Sequence, residues 1–192
     1  MIPFPNKKYQ VIYADPPWFY HFKGSKKYGD AQQEYPVMKT KDICTMPVSK
    51  ISDNQSVCFL WATMPNLIDA INVMGAWGFK YKTVAFVWIK LNKNASNMVF
   101  IEKDIRSGLG YFTNSNAEIV LIGTKGNNLN RARKNIKQIV LSPITKHSEK
   151  PEIVRNRITD LYGDIPRIEL FARQKVNGWD SWGNEIEEDS WS

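Results

Sequence analysis

Sulfur and imidazole are scarce in this chain of 192 residues, which has two cysteines, Cys44 and Cys58, and two histidines, His21 and His147. A disulfide framework or a zinc cluster needs several such groups at short spacing, so neither is expected, and no metal site is predicted. No apolar run approaches the roughly 20 residues of a membrane span, so no membrane contact is expected. The opening MIPFPNKKYQ has neither a basic-then-apolar signal pattern nor an Arg/Ser-rich transit pattern, which points to the cytoplasm. There is no internal repeat and no low-complexity linker. The length suits one domain with a single core.

Acid is missing from one long stretch. Thr124 to Ser148 holds six basic residues (Lys125, Arg131, Arg133, Lys134, Lys137, Lys146) and no Asp or Glu. His21 to Tyr28 adds three lysines. The formal charge is +7, yet the last nine residues carry four acids and no base, so residues 1–183 stand at +11. Basic loops near 19–35, 91–112 and 124–148, with an acidic tail over 185–192, suit a polyanionic partner, nucleic acid above all.

Five short apolar segments rich in β-branched and aromatic residues read as strands: Tyr9–Ala14, Val57–Ala62, Thr83–Ile89, Ala117–Ile122 and Arg167–Ala172. Pro65–Gly78 places Leu67, Ile71 and Met74 at helical spacing. Ser148–Gly163 does the same with Val154, Ile158, Leu161 and Tyr162, with Ser148 as its N-cap and Gly163 as its close. Strands alternating with helices predict an α/β fold with a parallel sheet. Leu91–Phe112 has no period and reads as a long loop or insertion beside the site. The aromatics Trp61, Trp77, Phe79, Phe86, Trp88 and Phe171 are assigned to the core, and Trp179 with Trp182 to covering the sheet end.

One stretch carries chemistry. Asp15-Pro16-Pro17-Trp18 follows the first strand directly, where ligands of open α/β sheets bind. Prolines fix φ and give no N–H, so this turn is read as stiff, with its carbonyls left as free acceptors beside the Asp15 carboxylate. Trp18, Phe19 and Tyr20 offer flat faces. Acceptors next to a stacking plane suit an exocyclic amine on a planar base. Lys150, read as lying in the first turn of the last helix, puts a cation at the positive end of a helix dipole and so predicts an anionic ligand there.

DPPW after a strand resembles the motif of the amino-methyltransferases that use S-adenosylmethionine to methylate adenine at N6. The chain is similar to the MT-A70 type, which includes the catalytic subunit of the messenger-RNA adenosine methyltransferase and compact bacterial and phage DNA adenine methyltransferases. The resemblance extends in order through YPVM (Tyr35–Met38), VCFLWAT (Val57–Thr63), VWIK (Val87–Lys90), GLGYFTNSNAEIVLIGTKG (Gly108–Gly126), HSEKPE (His147–Glu152) and IELFAR…GWDSWGNE (Ile168–Glu185). It implies a Rossmann-like methyltransferase fold over 1–192, mostly parallel with helices on both faces, in a permuted order that sets DPPW before the cofactor-binding strand. It also implies that Lys150 faces the methionine carboxylate of the cofactor. Glu169 and Arg173 would lie at its ribose region, Asn184 and Glu185 at ribose and adenine, Asp15 at both the methionine amine and the target N6, and Phe171 would also contact the cofactor. Lys175-Val176 stands where some members have His-Asn, so side-chain contacts there do not carry over.

The expected reaction is methyl transfer to adenine N6, with Asp15, Pro16, Pro17 and Trp18 as the catalytic segment. A flipped base would stack on Trp18, Tyr35 or Tyr111. Lys26, Lys27, Arg131, Arg133 and Lys134 would serve the substrate backbone. DNA is the expected substrate, acted on by a monomer or homodimer in a bacterium or phage-infected host. The alternatives are the same chemistry on RNA, or a nonenzymatic nucleic-acid-binding partner subunit.

Overall fold

Residues 2–19, 37–95, 102–108, 110, 112–145 and 149–186 are described by the structure, a computed structural model. Its strands are β1 (Tyr9–Ala14), β2 (Ser52–Ala62), β3 (Lys80–Leu91), β4 (Ala117–Lys125), β5 (Ile139–Pro143), β6 (Arg167–Leu170) and β7 (Asp180–Trp182). Its helices are α1 (Thr40–Cys44), α2 (Val48–Ile51), α3 (Leu67–Ala76) and α4 (Glu152–Tyr162), with a 3-10 turn at Met64–Asn66 leading into α3. The strands form one sheet in the order β5-β3-β4-β2-β1-β6-β7. β1 is central and parallel to both β2 and β6, and β7 continues in parallel beyond β6.

One strand departs from the expected direction. β4 is antiparallel to both β2 and β3, so the sheet is mostly parallel and not wholly so. β3 and β4 are joined as a hairpin through a long connection, and a hairpin reverses direction where a helical crossover would preserve it. Lys90 N–H donates to Asn116 O and Arg106 N–H to Lys90 O, which ties that connection down at its base. Gly108 approaches Ser115 so closely that a Cβ there would lie 2.2 Å from its carbonyl oxygen. The requirement at Gly108 is therefore space.

Alternation along the strands builds two core layers. Ile12, Ala14, Cys58, Leu60 and Ala62 face α1 and α3, meeting Ile43, Ala70, Val73 and Met74. Val11, Tyr13, Val57, Phe59 and Trp61 point the other way, against Val154 and Ile158 of α4. Helices on both faces follow from this two-sided burial. Trp61, Trp77, Phe79, Phe86 and Trp88 are all buried, as read from the sequence, and so are Trp179 and Trp182. Trp182 stacks on Phe4 at 4.5 Å between ring centres and donates its indole N–H to the Ile2 and Pro3 carbonyls, so the N-terminal segment covers the β7 end of the sheet. Gly163 closes α4 at φ 77°, a conformation that suits glycine. Among the described residues no helix is long and apolar enough to cross a membrane.

Candidate active site

β1 and β6 end side by side, and the residues that follow them open a cavity at the carboxyl edge of the sheet. β1 releases Asp15 there, and β6 stops at Leu170, two residues earlier than the sequence suggests. Phe171 then takes φ 61°, a left-handed conformation rare for a bulky residue. That turn carries Phe171, Ala172 and Arg173 onto the cavity wall. Strained backbone of this kind is held in place only by its surroundings. Phe171 packs edge-on against Trp182 at 5.7 Å.

The cavity holds about 400 Å³ and is lined by Asp15, Pro16, Pro17 and Trp18, by Lys150 and Glu118, and by Phe171, Arg173, Asn184 and Glu185. That volume lies within the roughly 300–1,000 Å³ of cofactor and ligand pockets. A larger, more open groove of about 830 Å³ lies along α4 and meets the cavity only at Lys150. The smaller cavity contains the convergent polar groups.

The DPPW turn differs from its sequence reading in two ways. Its carbonyls are not free: Trp18 N–H donates to Pro16 O at 2.9 Å, and Met38 N–H donates to Pro17 O at 2.8 Å. The first bond closes a three-residue turn about Pro17, whose fixed φ suits that geometry. Pro16 O keeps its second lone pair for a ligand. Nor is Trp18 an open stacking plane. It is 6% exposed, belongs to the core, and donates its indole N–H to Trp61 O at 3.1 Å. Burial of the ring and fixation of its N–H make it a wall of the cavity.

Lys150 also sits differently from its reading. α4 begins at Glu152 with Pro151 as N-cap, so Lys150 precedes the helix, and the proposed cap Ser148 lies outside the described residues. Its charge is met by protein carboxylates: Nζ lies 3.0 Å from Asp15 Oδ2 and 3.2 Å from Glu118 Oε2. Glu118 is in turn paired with Lys90. Burial raises the Asp15 carboxyl above the ordinary range by more than Lys150 lowers it, with Glu118 adding to the rise. Burial also pushes Glu118 up, but Lys150 and Lys90 together bring it below the ordinary range. Lys150 holds its proton more tightly than a free lysine, because Asp15 and Glu118 outweigh its burial.

Glu169 is placed behind this set, off the cavity wall. It lies on β6 facing α4 and accepts from Arg155 Nη1 at 2.9 and 3.2 Å. Burial raises its carboxyl in spite of Arg155. Arg173 Nε is 3.7 Å from Glu185 Oε1 at the rim. Arg131, Arg133 and Lys134 are not brought to the cavity. Ala132 N–H bonds to Leu161 O and Arg133 pairs with Asp160, both in the last turn of α4, at the opposite end of the sheet. The run of β4 from Glu118 to Lys125 alone covers more than about 20 Å at strand rise. Tyr20, Lys26, Lys27, Tyr35, Tyr111, Lys146 and His147 lie outside the described residues. Glu118, Lys90 and Arg155 were not singled out by sequence, and Trp61, which also lines the cavity, was read only as core. The available signal was an acid in the apolar AEIVLI and a lysine closing VWIK.

An ammonium and a carboxylate side by side suit the two ends of an amino acid. Arg173, Asn184 and Glu185 offer donors and acceptors to a sugar, and Phe171, Trp18 and Trp182 give apolar wall to a flat ring. These features fit S-adenosylmethionine.

Comparison with known proteins agrees. The MT-A70 family model matches residues 9–185. The chain is 37% identical to the Type II methyltransferase M.MunI of Mycoplasma sp over 199 residues, covering 95% of this chain and 79% of that one. It is 26% identical to the N(6)-adenosine-methyltransferase MT-A70-like protein of Drosophila melanogaster, covering 94% of this chain and 27% of the other. For the human N(6)-adenosine-methyltransferase catalytic subunit METTL3 the figures are 24%, 94% and 28%. The chain thus spans about a quarter of these last two proteins. It belongs to the MT-A70 family, whose members methylate adenine at N6 with S-adenosylmethionine.

Proposed function

We propose that this protein methylates N6 of adenine in DNA, in the cytoplasm of a bacterial or phage-infected cell. The observation that carries the reading is the meeting of the Asp15 carboxylate, the second lone pair of Pro16 O and the Lys150 ammonium in one cavity of cofactor size. DNA is favoured because a relative matched over most of both chains is a Type II methyltransferase, while the Drosophila and human N(6)-adenosine-methyltransferases match over about a quarter of their length. A body carrying +11 over residues 1–183 suits a polyanion.

When bound, S-adenosylmethionine supplies an electrophilic methyl group on a sulfonium. Lys150 would hold its carboxylate, Asp15 its amine, and Arg173, Asn184 and Glu185 its ribose and adenine, with Phe171 as apolar wall. Glu169 supports this set from behind through Arg155. The substrate nitrogen is a poor nucleophile, since its lone pair is delocalised into the ring, and its protons are too weakly acidic for a carboxylate to remove first. Asp15 and Pro16 O therefore accept the two N6 hydrogens and favour tetrahedral geometry. They also stabilise the positive charge that grows on the nitrogen during attack. The elevated proton affinity of Asp15 suits it to take the proton once the methyl has moved. Lys150 remains neutralised by Glu118 while Asp15 turns to the base.

The test is tritiated-methyl incorporation into matched DNA and RNA oligonucleotides, followed by nucleoside mass spectrometry. N6-methyladenine in DNA is the expected product. Methylcytosine, or label confined to RNA or protein, would overturn the assignment.

A further inference from the structure

Lys90 is the outermost member of a row of alternating charges that reaches the cavity: Lys90, Glu118, Lys150, Asp15. It closes the apolar strand end VWIK, and its side chain is 21% exposed. Lysine is seldom drawn this far inside without a partner and a reason. The ladder explains the partner. Trp88 on β3 lies directly across from Glu118 on β4, so Lys90, two residues on, shares their face and reaches Glu118 diagonally. Two indoles form the floor beneath. Lys90 Nζ lies 5.3 Å from the Trp88 ring and Lys150 Nζ 5.4 Å from the Trp61 ring, and those rings meet edge to face at 6.1 Å. Both ammonium groups are thereby located on one rigid surface. Glu118, Lys150 and Asp15 line the cavity, whereas Lys90 does not, so any effect of Lys90 is exerted through Glu118.

Resting on the function proposed above, we infer that Lys90 is a positioning residue for methyl transfer: it holds Glu118 ionised, and Glu118 in turn holds Lys150 beside Asp15. The four charges sum to zero. Without Lys90 the remaining three carry a net negative charge, Glu118 draws Lys150 away from Asp15, and Glu118 takes up a proton at a higher pH. Protonated Glu118 then releases Lys150. Among the described residues, the charged groups around Glu118 are Lys90 from β3, Lys150 from the segment before α4, and Asp15 from beyond β1. Beyond Asp15 stand Arg173 after β6, and Glu169 of β6 with its partner Arg155 of α4. Lys90→Met removes a lowering influence on Glu118 and leaves the others, so the direction of the shift is upward.

The test combines carboxyl carbon-13 NMR titration of the ligand-free protein with the pH profile of kcat/KM for methyl transfer. In Lys90→Met the Glu118 midpoint should rise by about one pH unit, toward the low end of the effect of a nearby opposite charge, and the acid limb, set by the higher Asp15 carboxyl, should rise with it as Lys150 is drawn away from Asp15. Lys90→Arg should return both most of the way, and Lys90→Met should leave the limb where it is in a Glu118→Gln background. Thermal unfolding monitors the fold, and Lys90→Gln replaces the Met variant should that one fail to fold. An unmoved Glu118 midpoint overturns the inference. So does a moved midpoint with an unmoved limb, or lost activity without a change in pH dependence. Should the wild-type protein transfer no methyl group, the proposed function falls, and the Glu118 midpoint alone decides the fate of the charge row.

Discussion

Asp15→Asn separates what this carboxylate does for the fold from what it does for the reaction. The amide keeps the shape of the side chain and removes its charge. For stability, two effects oppose each other. The raised Asp15 carboxyl means that its ionised form is disfavoured by folding, a penalty absent below the unfolded-state value near 4, growing as pH rises toward the folded value, and fully present above it. The amide is free of that penalty at pH 7.5. Against this, Lys150 loses a 3.0 Å partner, but it keeps Glu118 at 3.2 Å, so its charge is not stranded. Replacing one member of such a pair by a neutral isostere is then expected to change stability by no more than about 1 kcal/mol in either direction. For catalysis nothing opposes the loss. One preorganised group facing developing charge is worth about 2.7–4 kcal/mol, and a full carboxylate belongs at the upper end, so turnover should fall about 1,000-fold. Single-turnover transfer of tritiated methyl measures the second quantity, and urea unfolding at pH 7.5 the first. Turnover within fivefold of wild type would refute the catalytic role. Destabilisation beyond about 3 kcal/mol would refute the argument that Glu118 suffices for Lys150.

Arg155→Met leaves the Glu169 carboxylate, 13% exposed, without its partner. Urea unfolding should show a loss of about 3–5 kcal/mol at pH 7.5, shrinking at pH 5 as Glu169 gains a proton, and largely recovered in Arg155→Met/Glu169→Gln. The Glu118 carboxyl is held below its ordinary range, so its contribution to stability is present above the unfolded value near 4.5 and is lost as pH falls through the folded one. Glu118→Gln should therefore melt below wild type at pH 7, and the two melting temperatures should converge toward pH 3. Joint replacement of Arg131, Arg133 and Lys134 by alanine should leave methylation of a short oligonucleotide within twofold of wild type. It should also flatten the salt dependence of binding to long DNA, since these residues lie at the far end of α4.

The central strands could be read in advance because Val57–Ala62 and Tyr9–Ala14 are apolar on both faces, a local property. β5 and β7 could not: Ile139–Pro143 and Asp180–Trp182 are short edge strands whose only strong signal is one neighbour in the sheet. The direction of β4 was equally hidden, because it depends on how a long connection returns and not on the composition of AEIVLI. Within the site, Asp15, Lys150, Arg173, Asn184 and Glu185 were found through motif order and do share one cavity. Glu118 and Lys90 escaped because each is a single charge in an apolar strand, and their partnership exists only across the ladder. Arg155 escaped for a similar reason: it sits beside the stripe of α4, and its partner is 14 residues away on β6. The reading of Lys150 placed it inside the last helix, whereas α4 starts two residues beyond it at Glu152, and Asp15 and Glu118 stand against its charge.

The reversed direction of β4 has an architectural outcome. A parallel neighbour would have sent the intervening chain back beneath the sheet, whereas here the 25 positions from 92 to 116 leave and re-enter at the reaction rim. An acid at the start of a strand thereby joins a site otherwise built at strand ends: Glu118, the second residue of β4, lines the same cavity as Asp15 beyond β1. Had β4 run with its neighbours, that carboxylate would have stood at the opposite edge of the sheet.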